Sequence, residues 1–216
     1  MINKVATLIR KSRGLNYQTR WNMYPKVRTE SISEHTFNVA MFTAAILAIK
    51  NKGVLGYVDY ETIVGSLFHD MEESVSGDIP TLTKRLIGNE LGMLEESKNE
   101  LMLNKIPSFE YLFKFFRNNR VVELADKLAA MWFAAEQEEC GVLMYKHIKN
   151  QIITKMISDY SEIFPQLKEF IKALGIKYER EEYTTKFTHV GECYGDEKSG
   201  TTNPSSGAVD RDCTKQ

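Results

Sequence analysis

His35, His69, Asp70 and Asp126 are the side chains whose types and spacing in this 216-residue chain suit metal chemistry. His69 and Asp70 stand side by side after the largely apolar run YETIVGSLF, and Glu73 follows one helical turn on. At those spacings all three can face one pocket. Unpaired charges at the end of a buried helix are costly, so such a cluster needs a partner. His35 falls on an apolar stripe with Val39, Phe42, Ile46 and Ile49, at steps of four, three, four and three. Asp126 lies four residues after Val122 and three before Ala129, which turns a carboxylate to the buried side of its segment. A divalent cation held by these two imidazoles and two carboxylates accounts for all four positions together. An octahedral ion would keep further positions for water or a substrate oxygen.

Each residue alone has a plainer reading. A single histidine on an apolar face is ordinarily a hydrogen-bonded core residue. Asp126 alone reads equally well as the partner of a Lys or Arg, and His-Asp is a common dipeptide. The joint pattern carries the weight, because three separate helices each turn a metal-type side chain inward.

The elements that must position them are helical. The first helix is predicted over residues 2–13, stopped near Gly14, and a loop with Pro25 follows. Ser31 and Glu34 have capping-box spacing, which starts the His35 helix; Gly53 and Gly56 end it. Asp59 caps a third helix that runs to about Ser74, where Gly77 and Pro80 stop it. One or two helices follow between Thr81 and Leu103, and after Pro107 comes a short aromatic helix, FEYLFKFF. RVVELADKLAAMWFAAEQEE reads as a strong helix, and the stretch from Val142 to Leu174 as one or two more around Pro165. Strand-like alternation is absent before the C-terminal tail, so the fold class is all-α. Residues 1–177 form the expected domain, and 178–216, rich in Gly, Ser and Thr, read as a mobile tail.

Composition narrows the function. With 43% hydrophobic residues, the chain can bury one substantial core. A formal net charge of -1 gives no electrostatic case for nucleic acid or an anionic membrane as partner. The longest apolar run, Val39 to Ile49, is broken by Thr43 and is too short to span a bilayer, and the N-terminus has no signal-peptide core. Cys140, Cys193 and Cys213 form no CxxC pair, which points to a reducing, cytoplasmic setting.

The order His35, His69-Asp70, Asp126 resembles the H…HD…D pattern of the HD-domain phosphohydrolases, and most closely the bacterial 5'-deoxynucleotidases. The likeness runs through RW (Arg20, Trp21), VRTESISEH, HDMEESVSGDIPT and LADKLAA, and covers roughly residues 3–165. Residues Leu86 to Asn119 show no matching motif. The resemblance implies a helical bundle around a buried metal site. One Co, Mn, Zn or Mg ion per chain would be held by His35, His69, Asp70 and Asp126. It further implies release of phosphate from small-molecule 2'-deoxynucleoside 5'-monophosphates, with Glu73 as general base and Asp78 as acid toward the leaving 5'-oxygen.

Arg20, whose planar fork suits phosphate oxygens, is the first candidate to grip the substrate; Lys84 and Arg28 are weaker ones that read equally well as surface cations. Trp21 would form a wall against the sugar, and Thr81 with Pro80 would border sugar and base. A homodimer is expected from the same resemblance. Phage-type HD enzymes, which strip triphosphate from a deoxynucleoside triphosphate, share this framework and stay an alternative. A non-catalytic nucleotide-binding HD module and a purely structural helical protein are further ones. The presence of every ligand together with Glu73 speaks against the non-catalytic module.

Overall fold

The computed structural model describes residues 2–80, 83 and 114–179. Among them the chain forms α1 (Ile2–Gly14), α2 (Ile32–Lys50), α3 (Tyr57–Ser66), α4 (Glu73–Ser76), α5 (Arg120–Glu139), α6 (Met144–Tyr160) and α7 (Leu167–Ala173). No strand forms among the described residues; the sole sheet-like feature there is an isolated bridge between Thr19 and Ser31. The all-α expectation holds. The described residues belong to a unit spanning Met1–Glu181. The helices expected between Thr81 and Leu103, most of FEYLFKFF, and the tail from residue 180 on lie outside the described residues.

α5 is the central element. It packs against both α2 and α6, and α2 also packs against α3. Leu124, Leu128 and Met131 of α5, Val39 and Ile46 of α2, and Ile153 and Met156 of α6 are all buried in one cluster. α7 joins it through Leu167 and Ile171, after the interruption at Pro165 that the sequence predicts. By length and composition alone α2 could cross a membrane. Its packing against α5 and α3 accounts for the apolar residues on its inner face.

The capping box forms as expected. Ser31 Oγ accepts the Glu34 N–H at 3.1 Å, and the Glu34 carboxylate accepts the Ser31 N–H at 2.7 Å. Three details differ from the sequence reading. Ile49, in the last turn of α2, is 38% exposed rather than part of the buried stripe. Asp59 sits inside α3 rather than before it: its carboxylate accepts the Gly56 N–H at 2.7 Å, so the helix begins at Tyr57.

The third difference matters for the site. α3 ends at Ser66 instead of running to Ser74. The Ser66 hydroxyl donates to the Ile63 carbonyl at 2.7 Å, and the next N–H groups turn to carbonyls three residues back, Leu67 to Val64 and Phe68 to Gly65. A side chain competing for helix carbonyls in this way tightens and ends a helix. The chain then passes through turns to α4, which Gly77 closes with φ +72°. Phe68 and Met71 anchor the turn against Leu15 and Ile32.

Because the capping box fixes where α2 begins, Ser31→Ala should lower stability by about 1 kcal/mol. That corresponds to a fall of about 2–4 °C in melting temperature for a chain of this size. Calorimetry of the variant beside the parent chain checks it.

Candidate metal centre and substrate site

His35 enters the site from the first turn of α2 and is completely buried. Its Nε2 lies 3.0 Å from Asp126 Oδ1, which α5 supplies, and 3.6 Å from Asp70 Oδ2. His69 and Asp70 come from the turn after α3. The His69 Nδ1–H donates to the Ser66 carbonyl at 2.7 Å, which fixes the ring and turns Nε2 toward the carboxylates. That Nε2 is 3.1 Å from Asp70 Oδ2, placed for an ion-pair contact rather than an aligned hydrogen bond. His35, His69 and Asp70 each offer a ligand atom within 4.8 Å of one another. Asp126 adjoins this trio through His35.

His35, His69 and Asp70 fit a divalent ion, with Asp126 adjoining at His35. Nitrogen and oxygen ligands about 2.0–2.2 Å from a metal lie roughly 3–3.5 Å from one another. The 3.0 and 3.1 Å separations here fall in that range, and 3.6 Å is just beyond it. His69 Nε2 is buried with no hydrogen-bond partner among the described residues, as a ligand nitrogen would be.

The electrostatics point the same way. Burial, helped by the neighbouring Arg20 charge, pulls His35 down to about 4, so at neutral pH its imidazole is uncharged. Burial also pulls on His69, but the Asp70 carboxylate outweighs it and pushes that imidazole up to about 9. Asp70 is held well below the ordinary carboxylate range: burial opposes this, and His69, Arg20 and His35 overcome it. Asp126 is low likewise, against burial, through its bond to His35 and the charge of Lys127. Two ionised carboxylates that favour a proton on His69 would favour a metal cation in its place.

The loop before α2 brings in Arg20 and Trp21. Arg20 Nη1 lies 3.7 Å from Asp70 Oδ2 and 3.9 Å from Asp126 Oδ1. Burial lowers its basicity, but Asp70, Asp126, Glu30 and Glu73 together raise it above the ordinary value. Trp21 has φ +62°, a left-handed conformation that costs a bulky residue about 1–3 kcal/mol. It is held there by several contacts. Its ring stacks on Phe133 at 5.4 Å and meets Tyr145 edge-on at 5.7 Å, and its Nε1–H donates to Glu30 Oε2 at 3.2 Å. The loop is pinned to α5 by buried Gln137, whose Oε1 accepts the Val27 N–H at 2.8 Å and, more weakly, the Arg28 N–H at 3.4 Å.

Of the residues that the sequence singled out, Arg20, His35, His69, Asp70 and Asp126 come together in one cluster, with Trp21 beside Arg20. Glu73 is buried at the start of α4 and is close enough to act on Arg20, whereas Glu72 is partly exposed. Asp78 lies just beyond Gly77, near Lys26. Thr81 and Lys84 lie outside the described residues. Arg28 takes the surface-cation alternative: it is paired with Glu136 at 2.8 Å and Glu34 at 3.3 Å, drawn there by α5 and the cap of α2.

Two charged residues escaped the sequence reading. Lys127 donates to Asp126 Oδ2 at 2.8 Å. Glu30 is wholly buried beside His35 and Trp21. Both stand within the motifs VRTESISEH and LADKLAA, but an acid or lysine beside polar neighbours has no periodicity that marks it as buried.

The family model described as "5'-deoxynucleotidase YfbR-like" matches residues 7–178. The chain belongs to this family. A 5'-deoxynucleotidase of Klebsiella pneumoniae is 32% identical over 135 residues, 56% of this chain and 68% of the relative. The 5'-deoxynucleotidase YfbR of Escherichia coli is 36% identical over 92 residues, 41% of this chain and 46% of its own length. An HD-domain phosphohydrolase from Listeria innocua matches with a TM-score of 0.62 at 17% identity, over 78% of this chain and 86% of that one. The HD phosphohydrolase of cyanophage S-2L, solved with dA and one catalytic Zn2+ ion, matches with a TM-score of 0.58 at 17% identity, over 76% and 96%. These two structures establish the HD-domain fold; the family model establishes a hydrolase.

Gln137 is the acceptor that ties the Arg20 loop to α5. Gln137→Met, which keeps the volume and removes the amide, should cost about 0.5–1.5 kcal/mol, because the partly buried Val27 N–H loses its acceptor. Urea unfolding measures it, and faster protease cutting between residues 20 and 30 should accompany it.

Proposed function

We propose that the His35, His69, Asp70 and Asp126 cluster is the metal centre of a phosphohydrolase acting on 2'-deoxynucleoside 5'-monophosphates. The observation that carries this reading is the convergence of two imidazoles and two carboxylates beside a half-buried arginine, in a chain of the YfbR-like family. The protein is a metal-dependent deoxynucleotide phosphohydrolase; which residues do the work, and with which ion, is the proposal. Two imidazoles in the ligand set favour a transition ion such as Mn, Co or Zn over Mg.

An ion held by His35, His69, Asp70 and Asp126 would supply Lewis acidity toward the phosphoryl group and the attacking water. Arg20 grips the phosphate through its planar fork while Asp70 and Asp126 hold it in place. Glu73, buried and close to Arg20, takes the proton of the attacking water. Asp78 returns a proton to the leaving 5'-oxygen. Trp21, locked against Phe133, meets the sugar where a 2'-hydroxyl would crowd it. Residues 1–177 carry the reaction, and the protein acts as a homodimer, which sedimentation at micromolar concentration tests.

Three variants separate the roles. Asp126→Ala should abolish retention of metal through gel filtration, read by elemental analysis. Glu73→Ala should retain metal while turnover falls by about 10²–10⁴-fold. Trp21→Ala should narrow the deoxy-to-ribo ratio in kcat/KM by on the order of tenfold or more with metal content unchanged. Phosphate release from paired deoxy and ribo monophosphates is the assay. Intact tripolyphosphate from a deoxynucleoside triphosphate, with monophosphates untouched, would overturn the substrate assignment and leave the metal site standing.

A chain ending at Glu179 should keep the parent turnover. Loss of activity on that truncation would assign the C-terminal segment a part in the site.

A further inference from the structure

Glu30 is a buried acid that the reaction described above does not use. Its side chain is completely buried, yet its two oxygens face two different members of the site. Oε2 accepts the Trp21 Nε1–H at 3.2 Å. Oε1 lies 3.9 Å from His35 Nδ1, and among the described residues neither of those buried atoms has a hydrogen-bond partner. The Glu30 backbone carbonyl meanwhile accepts the Arg20 N–H at 2.9 Å. One residue therefore touches the chain at Arg20, the indole of Trp21 and the far side of His35.

We propose that Glu30 is a positioning residue that fixes both the Nδ1–H tautomer of His35 and the plane of the Trp21 ring, linking metal affinity to sugar discrimination. The inference rests on the metal reading of the cluster. His35 Nε2 is bonded to Asp126 Oδ1; to present that nitrogen to a metal as a lone pair the ring must carry its proton on Nδ1 instead, and the acceptor facing Nδ1 is Glu30. A closure of about 1 Å brings the pair to a hydrogen-bond distance of roughly 2.9 Å. The opposite oxygen meanwhile holds the indole of a residue whose backbone is already in the left-handed region, so the ring plane is set from two ends.

Charge and hydrogen bonding can be separated. Glu30→Gln keeps a carbonyl oxygen able to accept the indole N–H but removes the anionic partner of His35. Co2+ affinity, measured by competition with a fluorescent chelator on the full chain without substrate, should fall by about 10–100-fold. Its deoxy-to-ribo ratio in kcat/KM should stay within about twofold of the parent. Trp21→Phe should do the reverse, keeping Co2+ affinity and lowering the ratio by about threefold or more. Glu30→Ala should lose both.

Parental Co2+ affinity in Glu30→Gln, or a parental sugar ratio in Glu30→Ala, overturns the assignment. Where Glu30→Ala does not fold, the Co2+ affinity of Glu30→Gln decides. Failure of the parent chain itself to hold Co2+ overturns the metal reading instead, and this inference with it.

Discussion

Arg20 is the cation on which Asp70, Asp126, Glu30 and Glu73 all act, and much of the site is arranged around that concentration of negative charge where water is scarce. A single guanidinium cannot balance these carboxylates. The remainder is distributed by distance and burial. Lys127 covers one oxygen of Asp126, and the imidazole of His69 is pushed toward its charged form by Asp70. Glu30, the most enclosed of them, is pushed up to about 7 by burial, against the pull of Arg20. An excess of this kind makes a divalent ion stabilising where it would elsewhere only be tolerated. The same excess holds Arg20 inside the site, so the group that would grip the phosphate is positioned before substrate arrives.

That arrangement requires segments distant in sequence to meet within a few ångströms, and each is fixed by a different local device. The capping box sets the phase of α2 and with it the direction of His35. α5 holds Asp126 by burying Val122 and Ala129 on either side of it. The turn after α3 is held by its neighbours: Phe68 and Met71 pack against Leu15 and Ile32, which leaves His69 and Asp70 between them to meet each other and His35. The Arg20 loop has no helix of its own. Gln137, the stacking of Trp21 on Phe133 and the pairing of Arg28 with Glu136 attach it to α5. Aromatic contacts of this type contribute about 0.5–1.5 kcal/mol each, comparable with the cost of the left-handed conformation at Trp21.

How much of this the sequence reveals depends on whether the cause is local. The capping box at Ser31, the bounds of α5 and the break at Pro165 follow from neighbours in the chain, and they appear where the pattern puts them. The stripe on α2 is right except at its end, where Ile49 is exposed. The end of α3 was not legible, because apolar periodicity through residue 68 conceals the choice of the Ser66 hydroxyl for a helix carbonyl. Trp21 could be noted but not its backbone, since φ +62° is imposed by contacts with residues 9 to 124 positions away. Glu30 was invisible for a similar reason. Its burial is decided by α2 and the loop folding over it, and an acid among polar residues carries no sequence sign of that.

The positions of the cations bear on the length of phosphate chain the site accepts. A triphosphate would need positive charge beyond the first phosphate, and Arg28 was the candidate nearest in sequence to Arg20. It is instead committed to Glu34 and Glu136, lying over Phe133 on the outer side of the loop. Lys127 has its ammonium on Asp126, so its charge goes to that carboxylate. Lys26 is turned back onto the Arg20 carbonyl at 2.8 Å. Each of these cations holds the loop or the cluster in shape, and moving one outward to a second or third phosphate would expose a carboxylate or release the loop. Among the described residues, Arg20 is the cation that faces the centre with carboxylates already arranged around it. The described residues therefore favour recognition of one phosphate at the metal over recognition of a chain of three, in agreement with the family to which the chain belongs.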